Sequence, residues 1–168
     1  MKKRKKKLRR VLLILIILAA VLVCAVYDSA ENIEVTDYHV VSDRLPEAFE
    51  GFKIAQISDF HGAGFGEELA ELIEAQSPDI IVITGDLSSG PEDLSNAEKL
   101  LSSLEGTAPV YFVSGNHDYA SNRMDELEAL FERYGVRYIK NEYISQERQG
   151  EELLLLGVED PNSWAVMQ

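Results

Sequence analysis

Uncharged stretches along the chain alternate with stretches of helical or strand periodicity. Residues 11–27, VLLILIILAAVLVCAVY, hold 17 positions without a charge, the short end of the length a helix needs to cross a bilayer. Residues 28–32 are mostly polar and read as a linker. Residues 33–41, IEVTDYHVV, mix β-branched and aromatic residues at partial period two and predict a strand. Residues 42–51 contain Pro46 and end on Gly51, as a connecting loop does. FKIAQIS at 52–58 predicts a second strand, and Gly62, Gly64 and Gly66 a flexible turn. Leu69, Leu72 and Ile73 give residues 67–76 one apolar helical face. IIVIT at 80–84 is apolar at every position but the last, as suits a strand covered on both faces. Pro91 stands at the favoured first position of a helix whose stripe is Leu94, Ala97, Leu101 and Leu104. VYFVS at 110–114 predicts another strand. Met124, Leu127, Leu130, Phe131 and Tyr134 predict a helix that Gly135 stops. Residues 136–140 and 153–156 predict short strands. Strands alternating with helices predict an α/β fold, a largely parallel sheet with helices packed against it.

Composition and charge sharpen this picture. The 168 residues are 46% apolar and 27% charged, which excludes a disordered or low-complexity chain and permits one domain with a core. The formal charge of −13 conceals a segregation. Eight of the 16 basic side chains lie in residues 1–10, and the other 158 residues carry eight basic and 29 acidic ones. So acidic a body repels phosphate backbones, so no nucleic-acid partner is expected. It accommodates an anionic substrate only where metal ions invert the local field. No protein partner is predicted.

The basic cluster beside the apolar stretch predicts three parts: a cytoplasmic tail (1–10), a transmembrane anchor (11–27) and a body (28–168) outside the cytoplasm. An uncleaved anchor is preferred to a removed signal peptide, whose hydrophobic region runs to about 15 residues. Val23-Cys24-Ala25 would nonetheless tolerate cleavage. Cys24 is the single cysteine, so no intrachain disulfide can form. Within the apolar stretch it reads as a small filler.

Three polar clusters carry the chemistry, each just after the C-terminal end of an apolar strand. They are Asp59-Phe60-His61, Gly85-Asp86 and Gly115-Asn116-His117-Asp118. In open α/β sheets the carboxyl ends of the strands form the ligand crevice, so the clusters should converge. Together they offer carboxylates, imidazoles and an amide oxygen, a donor set suited to Zn, Fe or Mn rather than Ca or Mg. On an extended segment Asp59 and His61 would point the same way and reach one ion. Taken singly the clusters mean little: Gly-Asp after a strand is usually a turn, Asp59 could cap a helix, and Asn116-His117-Asp118 could be a satisfied loop. Their joint order and placement favour a metal site. The third histidine, His39, reads as structural. Gly62, Gly64 and Gly66 imitate a dinucleotide fingerprint, but the position for the third glycine is Glu67, an acid that would repel pyrophosphate. No Gly-Lys-Ser/Thr occurs, so a P-loop is absent.

The trio Ser58-Asp59-Phe60-His61, Gly85-Asp86-Leu87 and Gly115-Asn116-His117-Asp118 resembles the first three motifs of the calcineurin-like metallophosphoesterases. LPEAFEGFKIAQISD and Gly157-Val158-Glu159-Asp160-Pro161 resemble the membrane-anchored bacterial branch of that family. The resemblance spans residues 33–161. It implies a sheet sandwich flanked by helices, two divalent metal ions (Mn, Fe or Zn) and hydrolysis of a phosphomonoester, phosphodiester or pyrophosphate bond by a two-metal activated hydroxide. It implies that Asp59 and His61 hold the first metal, Asp86 bridges both and Asn116 holds the second. It places His117 beside the phosphoryl group, assisting the leaving oxygen, and makes Asp118 an orienter of His117. A tethered, outward-facing body implies a lipid-linked or envelope phosphoester. Similar anchored members act on phospholipids or on a nucleotide-linked lipid A precursor.

One departure stands beside the match. The family carries two further histidine motifs downstream, and here no histidine follows His117. The expectation is therefore the N-terminal portion of such an enzyme, with the C-terminal part of the domain missing. The alternative is a catalytically inactive, membrane-tethered fragment or binding protein. A missing second layer would leave apolar surface uncovered on strands 80–84 and 110–114.

Overall fold

The computed structural model describes residues 6, 9–10, 12–22, 33–90 and 93–161. The chain divides into two compact units, Met1–His39 and Val40–Gln168. In the first, residues 12–22 are helical with exposed side chains. Among the described residues, no helix is long and apolar enough to cross a membrane. Position 11 and positions 23–27 of the expected anchor, with most of the basic tail, lie outside the described residues.

The second unit is built on four strands: β1 (Ile54–Ile57), β2 (Ile80–Thr84), β3 (Val110–Val113) and β4 (Arg137–Tyr138). They pair in parallel in the order β1-β2-β3-β4. The register sets Ile57 beside Ile83 and Ile83 beside Phe112. Parallel neighbours share a face, so Ala55, Ile57, Ile81, Ile83, Val110 and Phe112 form one apolar surface. Three helices cover it: α1 (Gly66–Gln76), α2 (Asp93–Leu104) and α4 (Met124–Tyr134). Ala70 and Ile73, Ala97 and Leu101, and Leu127 and Phe131 join these strand residues in a single core. Ile81 and Ile83 are fully buried. Gly135 ends α4 in the left-handed region at φ 67°, where glycine alone carries no side-chain penalty. Pro91, expected to open α2, lies outside the described residues, and the helix is described from Asp93.

A hairpin, β5 (Glu142–Arg148) with β6 (Glu151–Gly157), is antiparallel and forms a sheet of its own. It lies against the second face of the parallel sheet. Gln146 Nε2 donates to the Tyr111 hydroxyl at 2.9 Å. Gly157 sits so close to β3 and the residue after β4 that a Cβ there would stand 2.5 Å from Ile139 Cβ. Between the layers is a cleft of about 110 Å3, lined by Val82, Thr84, Tyr111, Val113, Ile139 and Leu155 among others.

The structure corrects several expectations. Residues 33–41 form no strand. Their alternation is only partial, no strand pairs with them among the described residues, and Tyr38, Val40 and Val41 stand exposed. The strand expected at 136–140 shrinks to Arg137–Tyr138, and that at 153–156 extends to Glu151–Gly157. The second face of strands 80–84 and 110–114 is covered in part by the hairpin: Ile80 is buried, and Val82, Tyr111 and Val113 are half-buried. On the strands themselves, the exposed large apolar residues are Ile54 of β1 and Tyr143, Leu154 and Leu156 of the hairpin.

Candidate metal centre

All four strands of the sheet run the same way, so the loops after β1, β2 and β3 leave it at one edge. Asp59, Asp86 and Asn116 open onto that edge. The loops continue to hydrogen-bond beyond the strands. Asp59 N–H donates to Gly85 O at 3.3 Å, His61 N–H to Asp86 O at 2.8 Å and Gly62 N–H to Leu87 O at 3.0 Å. The segment from Asp59 to His61 is not extended, contrary to expectation. Asp59, His61 and Asp86 all have left-handed backbones, at φ 54°, 48° and 54°. Such residues are strained by roughly 1–3 kcal/mol each, and strain of this kind gathers at functional sites. The tight turn, rather than strand alternation, brings Asp59 and His61 together.

Single donor atoms of Asp59, His61 and Asp86 lie within 4.8 Å of one another. His61 Nε2 is 3.9 Å from Asp59 Oδ1 and 3.8 Å from Asp86 Oδ2. Two carboxylates that close to one another repel unless positive charge sits among them. The residues present therefore fit a divalent cation: two anionic oxygens and one imidazole nitrogen, the donor set of Zn, Mn or Fe. Asp86 is buried, whereas the Asp59 side chain is two-thirds exposed, so the centre is anchored below and open above. Ser58 Oγ donates to Asp59 Oδ2 at 2.5 Å, leaving Oδ1 turned toward His61.

The third cluster opens a short helix, α3 (Asn116–Ala120). His117 N–H donates to Asp86 Oδ1 at 2.9 Å, which leaves Oδ2 toward His61. The His117 ring meets the His61 ring edge-on, with centroids 4.9 Å apart. Asn116 is exposed at the first position of this helix. The two motif glycines permit the approach. A Cβ on Gly115 would stand 2.2 Å from Asp86 Oδ1, and one on Gly85, at φ 90°, 2.8 Å from Gly115 Cα.

Asp118 is fully buried, and its bonds differ from the orienting role expected of it. Its carboxylate accepts from the N–H groups of Asp86 at 2.8 Å, Gly115 at 2.9 Å and Ser88 at 3.0 Å. It thus ties the loop after β2 to the loop after β3 and fixes Asp86 from behind. Burial pushes its carboxyl above the ordinary aspartate value, while the three N–H bonds and Asp86 act in opposite senses on it.

Two contributors escaped sequence reasoning. His61 Nδ1 makes a short hydrogen bond with Ser89 Oγ. Glu159 Oε1 accepts from the hydroxyls of Tyr119 at 2.5 Å and Tyr138 at 2.8 Å, and Oε2 from Asn141 Nδ2 at 2.7 Å. Tyr119 belongs to α3, so Glu159 clamps the helix that bears His117. Burial pushes the Tyr138 hydroxyl well up, and Tyr119 and Glu159 add to the shift. Glu159 lies in a stretch the sequence had marked, 157–161. Nothing local marks Ser89.

Residues 52–162 match the family model described as calcineurin-like phosphoesterase. A zebrafish protein named transmembrane protein with metallophosphoesterase domain is 27% identical over 150 residues, 82% of this chain and 34% of that protein. Two Bacillus subtilis (strain 168) proteins named as metallophosphoesterases are also similar. YkuE is 30% identical over 127 residues, 71% of this chain and 44% of its own, and YkoQ 30% over 152 residues, 83% and 56%. The chain thus spans from about a third to just over half the length of these relatives.

Proposed function

The chain belongs to the calcineurin-like phosphoesterase family, a family of metal-dependent hydrolases, and on that premise we propose that it hydrolyses a phosphoester with two divalent cations at the edge of its parallel sheet. The observation that carries this reading is the convergence of Asp59, His61 and Asp86 within 4.8 Å. Asp59 and His61 would hold one cation, Asp86 would serve both, and Asn116 would join the second. When bound, the cations supply Lewis acidity toward the phosphoryl oxygens and an activated water. The protein's own groups do the rest. Asp118 holds Asp86 in place through backbone N–H bonds. The N–H of His117 binds one Asp86 oxygen and frees the other. The exposed His117 ring gives a proton to the leaving oxygen. Incubation of the full chain with Mn and a generic aryl phosphodiester should release the aryl alcohol, and a chelator should stop it. Mn binding without any turnover would instead support the alternative of a non-catalytic binding protein.

The membrane setting is part of the proposal. Eight basic residues before an apolar stretch favour a tail in the cytoplasm and a body outside, in the manner of the anchored bacterial branch. A lipid-linked or envelope phosphoester is then the substrate within reach. A reporter fused after Gln168 should be active only outside the cytoplasm, and replacing residues 2–7 by neutral ones should weaken that preference. A reporter active only in the cytoplasm would contradict the topology.

A further inference from the structure

His61 presents its two ring nitrogens to different partners. Nε2 faces the carboxylates of Asp59 and Asp86 at 3.9 and 3.8 Å, and Nδ1 meets Ser89 Oγ. A histidine that gives Nε2 to a cation carries its proton on Nδ1, and that proton needs an acceptor to fix the ring. A serine hydroxyl can accept it.

Ser89 is firmly held. Its N–H donates to Asp93 Oδ2 at 3.0 Å, at the first residue of α2. The preceding Ser88 N–H is bound by buried Asp118. The same turn of α2 also fixes the backbone next to His61. Asn96 Nδ2 donates to Gly62 O at 2.7 Å. Gly62, at φ 62°, lies so close to Asp93 that a Cβ on it would stand 2.1 Å from Asp93 Cβ. One helical turn thus sets both the backbone beside His61 and the hydroxyl that meets its ring.

We propose that Ser89 is a positioning residue of the metal centre: it accepts the Nδ1 proton of His61 and so aims Nε2 at the cation. This rests on the metal reading given above. The loop after β2 then supplies the centre twice, through the Asp86 carboxylate and through the partner of the ligand on the neighbouring loop.

The test titrates the full chain, Ser89→Ala and Ser89→Thr with Zn2+, a diamagnetic probe, and follows the His61 ring by nitrogen-resolved NMR. In the unsubstituted chain Zn2+ should shift Nε2 and leave a Nδ1 proton protected from exchange. Ser89→Ala should lose that protected proton and bind Zn2+ about 10-fold more weakly. Ser89→Thr, which keeps the hydroxyl, should restore both. Ser89 is exposed, so the alanine variant is expected to fold. A Ser89→Ala chain with unchanged affinity and a protected Nδ1 proton would overturn the proposal and leave the metal reading standing. An unsubstituted chain whose His61 ring ignores Zn2+ would overturn both.

Discussion

Asp86→Ala is expected to abolish metal binding and turnover together. Asp86 is the buried member of the donor set, and both of its oxygens are committed. Oδ1 accepts from His117 N–H at 2.9 Å, and Oδ2 stands 3.8 Å from His61 Nε2. Alanine removes the group proposed to touch both cations and leaves the His117 N–H without its acceptor. Losing only an outer partner of a ligand costs about 10–100-fold in metal affinity, so losing the ligand itself should exceed about 100-fold. Hydrolysis of the aryl phosphodiester should fall to background. His117→Ala provides the contrast. It removes the ring but keeps the backbone N–H that holds Asp86, so Mn affinity should survive. The rate should fall by about 10²–10⁴, the usual worth of a positioned proton donor. Mn titration by electron paramagnetic resonance and steady-state kinetics would separate the two. Equal loss of metal in both variants would refute this division of roles.

Asp118→Ala is expected to act on the fold rather than the chemistry. Its carboxylate accepts from three backbone N–H groups at 2.8, 2.9 and 3.0 Å, at a site closed to solvent. Alanine strands all three donors, and a buried donor left without a partner costs about 1–3 kcal/mol. A total loss of about 3–9 kcal/mol is a large share of the roughly 5–15 kcal/mol that holds a domain together. The melting temperature should drop by about 10–20 °C, as read by circular dichroism of the full chain. Asp118→Asn should be intermediate, because the amide keeps one acceptor oxygen but turns an NH2 toward an N–H. An unchanged melting temperature in the alanine variant would show that the loops after β2 and β3 are held some other way.

What the sequence made legible follows from how local each cause is. Ile80–Thr84 could be read with its bounds because a run apolar on both faces has few uses except a central strand. The helix Met124–Tyr134 was legible from its stripe and from Gly135 at its end. Residues 142–148 could not be read as a strand. Only Ile144 among them is buried, and their strand character comes from pairing with Glu151–Gly157, a contact that no local pattern announces. The reverse error at 33–41 has the same origin, since β-branched residues make a strand only where a partner exists.

In the metal centre, the meeting of Asp59, His61 and Asp86 was legible because parallel strands deliver their carboxyl ends to one edge. The route by which Asp59 and His61 meet was not. Alternation along a strand assumes extended backbone, and both residues adopt positive φ. The partners of Asp118, Ser89 and Glu159 were hidden for a related reason. Each bonds to groups many residues away, such as Asp118 to Asp86 and Glu159 to Tyr119, and only the folded loops bring them within reach.

Whether Asp59, His61 and Asp86 form a divalent metal site is decided by anomalous diffraction from crystals of the full chain soaked in Mn2+. An anomalous peak is expected about 2.0–2.3 Å from Asp86 and from His61 Nε2, with Asp59 completing the set. A saturating soak that leaves those three side chains without a peak would contradict it.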